Sequence, residues 1–107
     1  MKWFLTTLAI AIIVLIVPGA FASPDGAALY KAKCATCHGP DGSGQTAMGK
    51  SLKLRDLRSA EVQKQTDKEL YTWTADGKGK MPAYKGKLTE AEINALVAYM
   101  RELAKKK

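Results

Sequence analysis

The sequence predicts an all-α domain of short helices joined by long loops, and three observations predict it. Thr66-Asp67-Lys68-Glu69 and Thr89-Glu90-Ala91-Glu92 are capping-box patterns, in which a threonine and a glutamate satisfy each other's free N–H groups at a helix start. After the second box, Ile93, Leu96, Val97, Met100, Leu103 and Ala104 recur at helical spacing. No stretch alternates apolar and polar residues as a half-buried strand does.

At 107 residues the chain is at most one ordinary domain. Its start differs from the remainder. Lys2 precedes an apolar run over residues 3–17 broken only by Thr6 and Thr7, then come Pro18, Gly19 and the small-x-small tripeptide Ala20-Phe21-Ala22. That is the layout of an export signal, so a leader over 1–22 is expected, with cleavage after Ala22 and a mature domain over 23–107. A retained membrane anchor is the competing reading, but the run is shorter than the roughly 20 residues that span a bilayer. The expected destination is the periplasm, with no membrane span once the leader is gone.

Within the mature part, Pro24 and Asp25 open a short helix, capped by Ser23 or Asp25, that leads through Tyr30 to Cys34. Gly39-Pro40-Asp41-Gly42-Ser43-Gly44 is loop chemistry. Residues 45–57 have no clear period and read as loop with room for one turn, and 59–64 read as a short helix. The first capping box predicts a helix to about Thr74; Asp76-Gly77-Lys78-Gly79-Lys80 breaks it, and Met81-Pro82 lies in the loop before the last helix.

Cys34-Ala35-Thr36-Cys37-His38 has the C-x-x-C-H form of a c-type haem attachment site. On a helix Cys34 and Cys37 share one face. Two thiols so placed can add to the two vinyl groups along one side of a porphyrin, and His38 can turn its imidazole onto the iron. One haem c held by two thioethers uses both cysteines of the chain, and His38 is its single histidine. A domain this small is short of hydrophobic core, which a large apolar disc would supply. A thiol oxidoreductase would need a βαβ framework that the pattern lacks. A structural zinc site would need four ligands, and the inventory of two cysteines and one histidine is short.

Lysine and arginine number 17 against 10 acidic residues, a formal net charge of +7. Such a balance suggests acidic partners. Export and the dispersed lysines argue against nucleic acid. No nucleophile with a paired base, phosphate loop or carboxylate pair stands out, so no enzyme activity is expected.

Taken together, the mature chain resembles the small class I monohaem cytochromes c of bacteria over nearly all of its length. The resemblance rests on Gly26 and Tyr30, on Cys34-Ala35-Thr36-Cys37-His38-Gly39, on Gly77-Lys78-Gly79-Lys80-Met81-Pro82-Ala83-Tyr84 and on Leu96-Val97-Ala98-Tyr99-Met100-Arg101. It implies the cytochrome c fold, in which the first and last helices cross beside the haem and a small residue on one admits an aromatic of the other. Carried over, Gly26 and Tyr30 meet the face bearing Leu96 and Tyr99 or Met100. The resemblance also implies that Met81 is the second axial ligand, opposite His38, a pair that raises the potential of an electron-transfer haem. Met48 follows His38 closely in a glycine-rich loop, and Met100 sits where a core methionine belongs. The Nδ1 of His38 is expected to donate to a backbone carbonyl. The family commonly uses a proline carbonyl after the histidine; residues 45–52 contain no proline, so the acceptor stays open.

Two readings stand for each of several other residues. Trp73 lines the haem pocket and offers its indole N–H to a propionate, or it is core packing. Arg55 grips a propionate bidentately, or it is a solvated side chain. Lys78, Lys80, Lys85 and Lys87 flank Met81 and steer an acidic partner, or they are ordinary lysines of a basic protein. The function implied is a soluble, monomeric periplasmic carrier that moves single electrons between redox partner proteins with an acidic docking face. The alternative is a haem-based peroxidase or gas sensor with a labile sixth ligand.

Overall fold

The computed structural model describes residues 10–15 and 23–106. Of the expected leader only 10–15 are described, without regular structure, and the cleavage tripeptide Ala20-Phe21-Ala22 lies outside the described residues. Among the described residues six helices follow in order: α1 (Gly26–Lys33), α2 (Ala35–His38), α3 (Ala47–Leu52), α4 (Ala60–Gln63), α5 (Asp67–Asp76) and α6 (Glu90–Lys105). The extended pairing among them amounts to two isolated bridges, Lys78 with Met81 and Lys85 with Leu88. None of these helices is long and apolar enough to cross a membrane. The fold is all-α, as the pattern predicts.

Side-chain caps set where the helices begin. Asp25, rather than Ser23, caps α1: its Oδ1 accepts from the Ala28 N–H at 3.1 Å. At α6 the capping box is complete, with Thr89 Oγ1 accepting from the Glu92 N–H at 3.1 Å and Glu92 Oε1 accepting from the Thr89 N–H at 2.9 Å. Replacing such a threonine by alanine costs about 1 kcal/mol. At α5 only half of the expected box forms. Thr66 Oγ1 accepts from the Glu69 N–H at 3.1 Å, while the Glu69 carboxylate accepts from the Thr66 hydroxyl at 3.2 Å instead of from its N–H. The helix runs two residues past Thr74, to Asp76, because Gly77 is the first residue to leave helical geometry, at φ +68°. Residues 45–57 hold more than the expected turn. Thr46 caps α3 by accepting from the Gly49 N–H at 2.8 Å. A helix of six residues is too short to write an amphipathic period into the sequence.

α6 is the spine of the packing. Leu96 and Leu103 join Tyr30 and Cys34 in one buried cluster, with Leu29, Leu57 and Tyr99 packed around it. Val97 joins Val62 and Leu70 in a second cluster, so the same helix holds α1 on one flank and α4 and α5 on the other. Arg101 fastens that second flank. Its guanidinium donates to the carbonyls of Gln63 at 2.8 Å and Gln65 at 2.6 Å and to Asp67 Oδ1 at 2.9 Å, gathering the end of α4 and the start of α5. Gln63 adds Nε2 bonds to the carbonyls of Leu57 at 2.7 Å and Met100 at 3.3 Å.

On the first flank the helices touch at backbone distance. A Cβ on Gly26 would fall against the carbonyl oxygen of Ala95 and 3.2 Å from the Tyr99 Cβ, so the contact admits only glycine without movement. The rings of Tyr30 and Tyr99 then pack at 5.2 Å between centroids, tilted by 52°. Gly26 and Tyr30 thus meet the face carrying Leu96 and Tyr99, as the resemblance implies. Substituting Gly26→Val should push α1 off α6 and lower the stability of the holoprotein by about 1–3 kcal/mol, the usual cost of overpacking. Guanidinium unfolding followed by far-ultraviolet dichroism checks this; an unchanged midpoint would mean that the helices yield freely.

Candidate functional site

The Cys34–His38 segment is built as a kink between two helices. Cys34 ends α1 by donating its N–H to the Tyr30 carbonyl at 2.8 Å, and its own carbonyl accepts from the His38 N–H at 2.9 Å to start α2. This puts both cysteines within one helical turn, on neighbouring positions of a shared face. Both are free thiols; Cys34 is buried in the α1–α6 cluster and Cys37 is half-buried. Burial pushes the Cys34 thiol up to about 11, with Cys37 adding to the rise.

After His38 the chain reverses at Gly39, and the loop returns to sew the segment in place. Gly44 N–H donates to the His38 carbonyl at 2.7 Å, and Thr46 Oγ1 donates to the Cys37 carbonyl at 2.7 Å. The His38 imidazole is held below the usual histidine range by burial, which keeps it neutral with a lone pair available at neutral pH. Its Nδ1 is buried and makes no hydrogen bond. The expected carbonyl acceptor is therefore not in place. The loop's N–H and hydroxyl donors turn toward the segment, and none of its carbonyls reaches the ring.

Met81 is positioned by the far end of α5. Lys78 and Met81 exchange backbone hydrogen bonds at 3.2 and 3.0 Å, closing a tight turn. The chain is then pinned back onto α5, with Tyr84 N–H donating to the Thr74 carbonyl at 3.2 Å and Lys85 N–H to the Ala75 carbonyl at 3.0 Å. Gly77 makes the reversal possible. Beyond its positive φ, a Cβ there would lie 2.5 Å from the Met81 carbonyl oxygen and 2.8 Å from the Ala83 nitrogen. The Tyr84 hydroxyl closes the frame by donating to the Lys33 carbonyl at 3.0 Å, tying the Met81 loop to the end of α1.

His38 and Met81 line the same cavity, of about 450 Å³. Its walls are largely apolar, from Leu52, Leu54, Leu57, Val62, Leu70 and Met100. Sequence reasoning missed most of this lining. Leu52, Leu54 and Leu57 fall in the stretch without a period, and the only available signal was three leucines within six residues. Met100 is at once core, at 6% exposure, and cavity wall. Met48 is 49% exposed and does not line the cavity.

The two residues left open as propionate partners also line it. Trp73 is 40% exposed, which removes the core-packing reading, and Lys78 Nζ lies 4.7 Å from the centre of its ring. Arg55 Nη1 pairs with Glu61 Oε1 at 3.2 Å on the surface, so its guanidinium has a partner within the chain. No cluster of three or more His, Cys, Asp and Glu side chains among the described residues could hold a bare metal ion. An imidazole and a thioether on the wall of one apolar cavity, with two thiols in the same short segment as the imidazole, instead match an iron that brings its own macrocycle.

Comparison with known proteins places the chain. Residues 22–100 match the family described as cytochrome c oxidase, cbb3-type, subunit III. Cytochrome c6 of a Synechococcus species is 36% identical over 112 aligned positions, covering 99% of this chain and 96% of that protein. Cytochrome c6 of Leptolyngbya boryana is 35% identical over 81, covering 76% and 92%. Among solved structures, the KustC0563 c-type cytochrome superposes with a TM-score of 0.69 at 38% identity, over 74% of this chain and 96% of that one. The helical architecture, the cavity between His38 and Met81 and these relatives agree: the chain belongs to the small class I monohaem cytochromes c.

Proposed function

We propose that His38 and Met81 are the axial ligands of the one covalently bound haem c that this electron-transfer protein carries, and that Cys34 and Cys37 hold it by thioethers. One observation carries the reading: two side chains from elements far apart in sequence, α2 and the loop after α5, line one apolar cavity. Bound haem supplies the one-electron chemistry of iron. The chain does the rest. Burial keeps the His38 imidazole neutral and able to donate its lone pair. The leucine, valine and methionine walls exclude water, so little solvent must reorganise when charge changes inside. The turn from Lys78 to Met81 holds the soft thioether without relying on a long flexible loop. A methionine on the cavity wall favours an electron carrier over the alternative peroxidase or gas sensor, which requires an open sixth position, and no enzyme activity is assigned.

The carrier works outside the cytoplasm, after removal of residues 1–22. Support comes from the sequence pattern of the leader and from Ile10, Ile12, Ile13, Val14 and Leu15, which are 73–83% exposed. Such a row of bare aliphatic side chains is a liability in a mature protein. Its partners are redox proteins with an acidic docking face, met as a monomer. Support for that is the exposure of Lys78, Lys80, Lys85 and Lys87, all in the segment that carries Met81.

Met81→Ala should abolish the methionine-to-iron band at the red end of the oxidised spectrum and lower the reduction potential; an unchanged spectrum and potential refute the ligand assignment. Intact mass of the exported protein should equal residues 23–107 plus one haem, and iodoacetamide should label no cysteine even after denaturation. A labelled cysteine counts against the thioethers, and retained residues 1–22 count against cleavage. Lys80→Glu combined with Lys85→Glu should slow electron exchange with a carboxylate-coated electrode about tenfold at low ionic strength and scarcely at all in high salt. Equal rates for variant and parent at low salt would show that the docking face lies elsewhere.

A further inference from the structure

Gln65 lines the cavity, and its Oε1 is buried without a hydrogen-bond partner. A buried amide oxygen left unpaired costs about 1–3 kcal/mol, so such a group calls for a partner. Nothing in the fold requires the side chain. The backbone of Gln65 is already held at both ends, its N–H donating to the Val62 carbonyl at 3.1 Å and its carbonyl accepting from Arg101 Nη2 at 2.6 Å. Arg101 is itself locked by Asp67 and Gln63, so the backbone position is held while the amide oxygen has no partner.

Among the other polar groups on the cavity wall, His38 Nδ1 is likewise buried without a partner, and the rest are paired or exposed. Thr74 Oγ1 donates to the Leu70 carbonyl at 3.0 Å, and Arg55 pairs with Glu61 at 3.2 Å. Lys53 and Lys78 are exposed, and the remaining titratable group, His38, is the proposed iron ligand. A porphyrin is apolar around its rim except for two propionate carboxylates. Resting on the haem reading above, we propose that Gln65 hydrogen-bonds one haem propionate through its carboxamide, binding the cofactor's buried polar end. A half-turn about the terminal bond exchanges amide oxygen for nitrogen, and against an ionised carboxylate the orientation presenting Nε2–H is the one that bonds.

A donor to the ionised propionate lowers that propionate's pKa, and the reduction potential falls as pH rises through it. In the holoprotein, Gln65→Leu should therefore move the inflection of potential against pH upward by roughly one to two units, the worth of a hydrogen bond to a charged group. Gln65→Glu, which sets a second carboxylate there, should move it further in the same direction. An inflection that stays in place in Gln65→Leu, or moves downward in Gln65→Glu, overturns the proposal. The unsubstituted holoprotein gives a test independent of either variant's folding. Its Gln65 side-chain amide protons should show nuclear Overhauser effects to propionate methylene protons, and their absence also overturns it. Visible spectra of the same samples report covalent attachment and methionine ligation separately. Loss of those features in the unsubstituted protein would defeat the haem reading, and their retention with a fixed inflection would defeat only the Gln65 contact.

Discussion

Tyr30, at 1% exposure, joins two parts of the molecule that must stay in register. Its ring packs on Tyr99 of α6, and its hydroxyl donates to the Gly39 carbonyl at 2.6 Å, one residue past His38. Burial, with smaller contributions from Cys34, Tyr99 and Asp41, holds the phenol well above the usual tyrosine range, so it stays a donor at any physiological pH. The close approach at Gly26 allows the ring contact, and the ring contact fixes where the hydroxyl points. Helix packing is thereby converted into a position for the segment proposed to bind haem. Were α1 to slide along α6, Cys34, Cys37 and His38 would move with it.

The second half of the site hangs from the other flank of α6. Val97, Val62 and Leu70 seat α4 and α5, Arg101 clips their junction, and the Met81 loop folds back on the end of α5. One helix thus aligns two halves that make little direct contact across the cavity. The bond from the Tyr84 hydroxyl to the Lys33 carbonyl is an exception, and it lies on the surface. The interior between the halves is left for an apolar disc. Haem, a large apolar disc, adds to the core of a domain with two small buried clusters among its described residues.

The local grammar of the chain was legible wherever chemistry and spacing coincide. The capping box at Thr89, the glycine breaks around Gly77 and the apolar stripe of α6 appear where their residues say they should. The proposed site was read from one five-residue segment and one methionine in a Gly-Lys-Met-Pro setting, and His38 and Met81 from those two stretches line one cavity. The rest of the cavity wall was not legible in this way. Leu52, Leu54 and Leu57 face it from a segment with no regular period, because a chain wrapping a disc has no repeat to obey. The expected acceptor for His38 Nδ1 failed for a related reason: which carbonyl faces a ring depends on loop path, and here the loop turns its donors inward.

The sequence by itself determined the cofactor class and the helical fold, since each depends on residue types at short fixed spacings; the pairing of α1 with α6 followed from the family resemblance that Gly26 and Tyr30 carry. Only the tertiary structure decided that His38 and Met81 share one cavity, that Trp73 stands at its exposed side and that Arg55 is taken by Glu61. It also showed Gln65 on the wall with a buried amide oxygen that has no hydrogen-bond partner. Those are relations between segments far apart in sequence. They follow from how α6 is gripped on both flanks, which no local pattern of residues encodes.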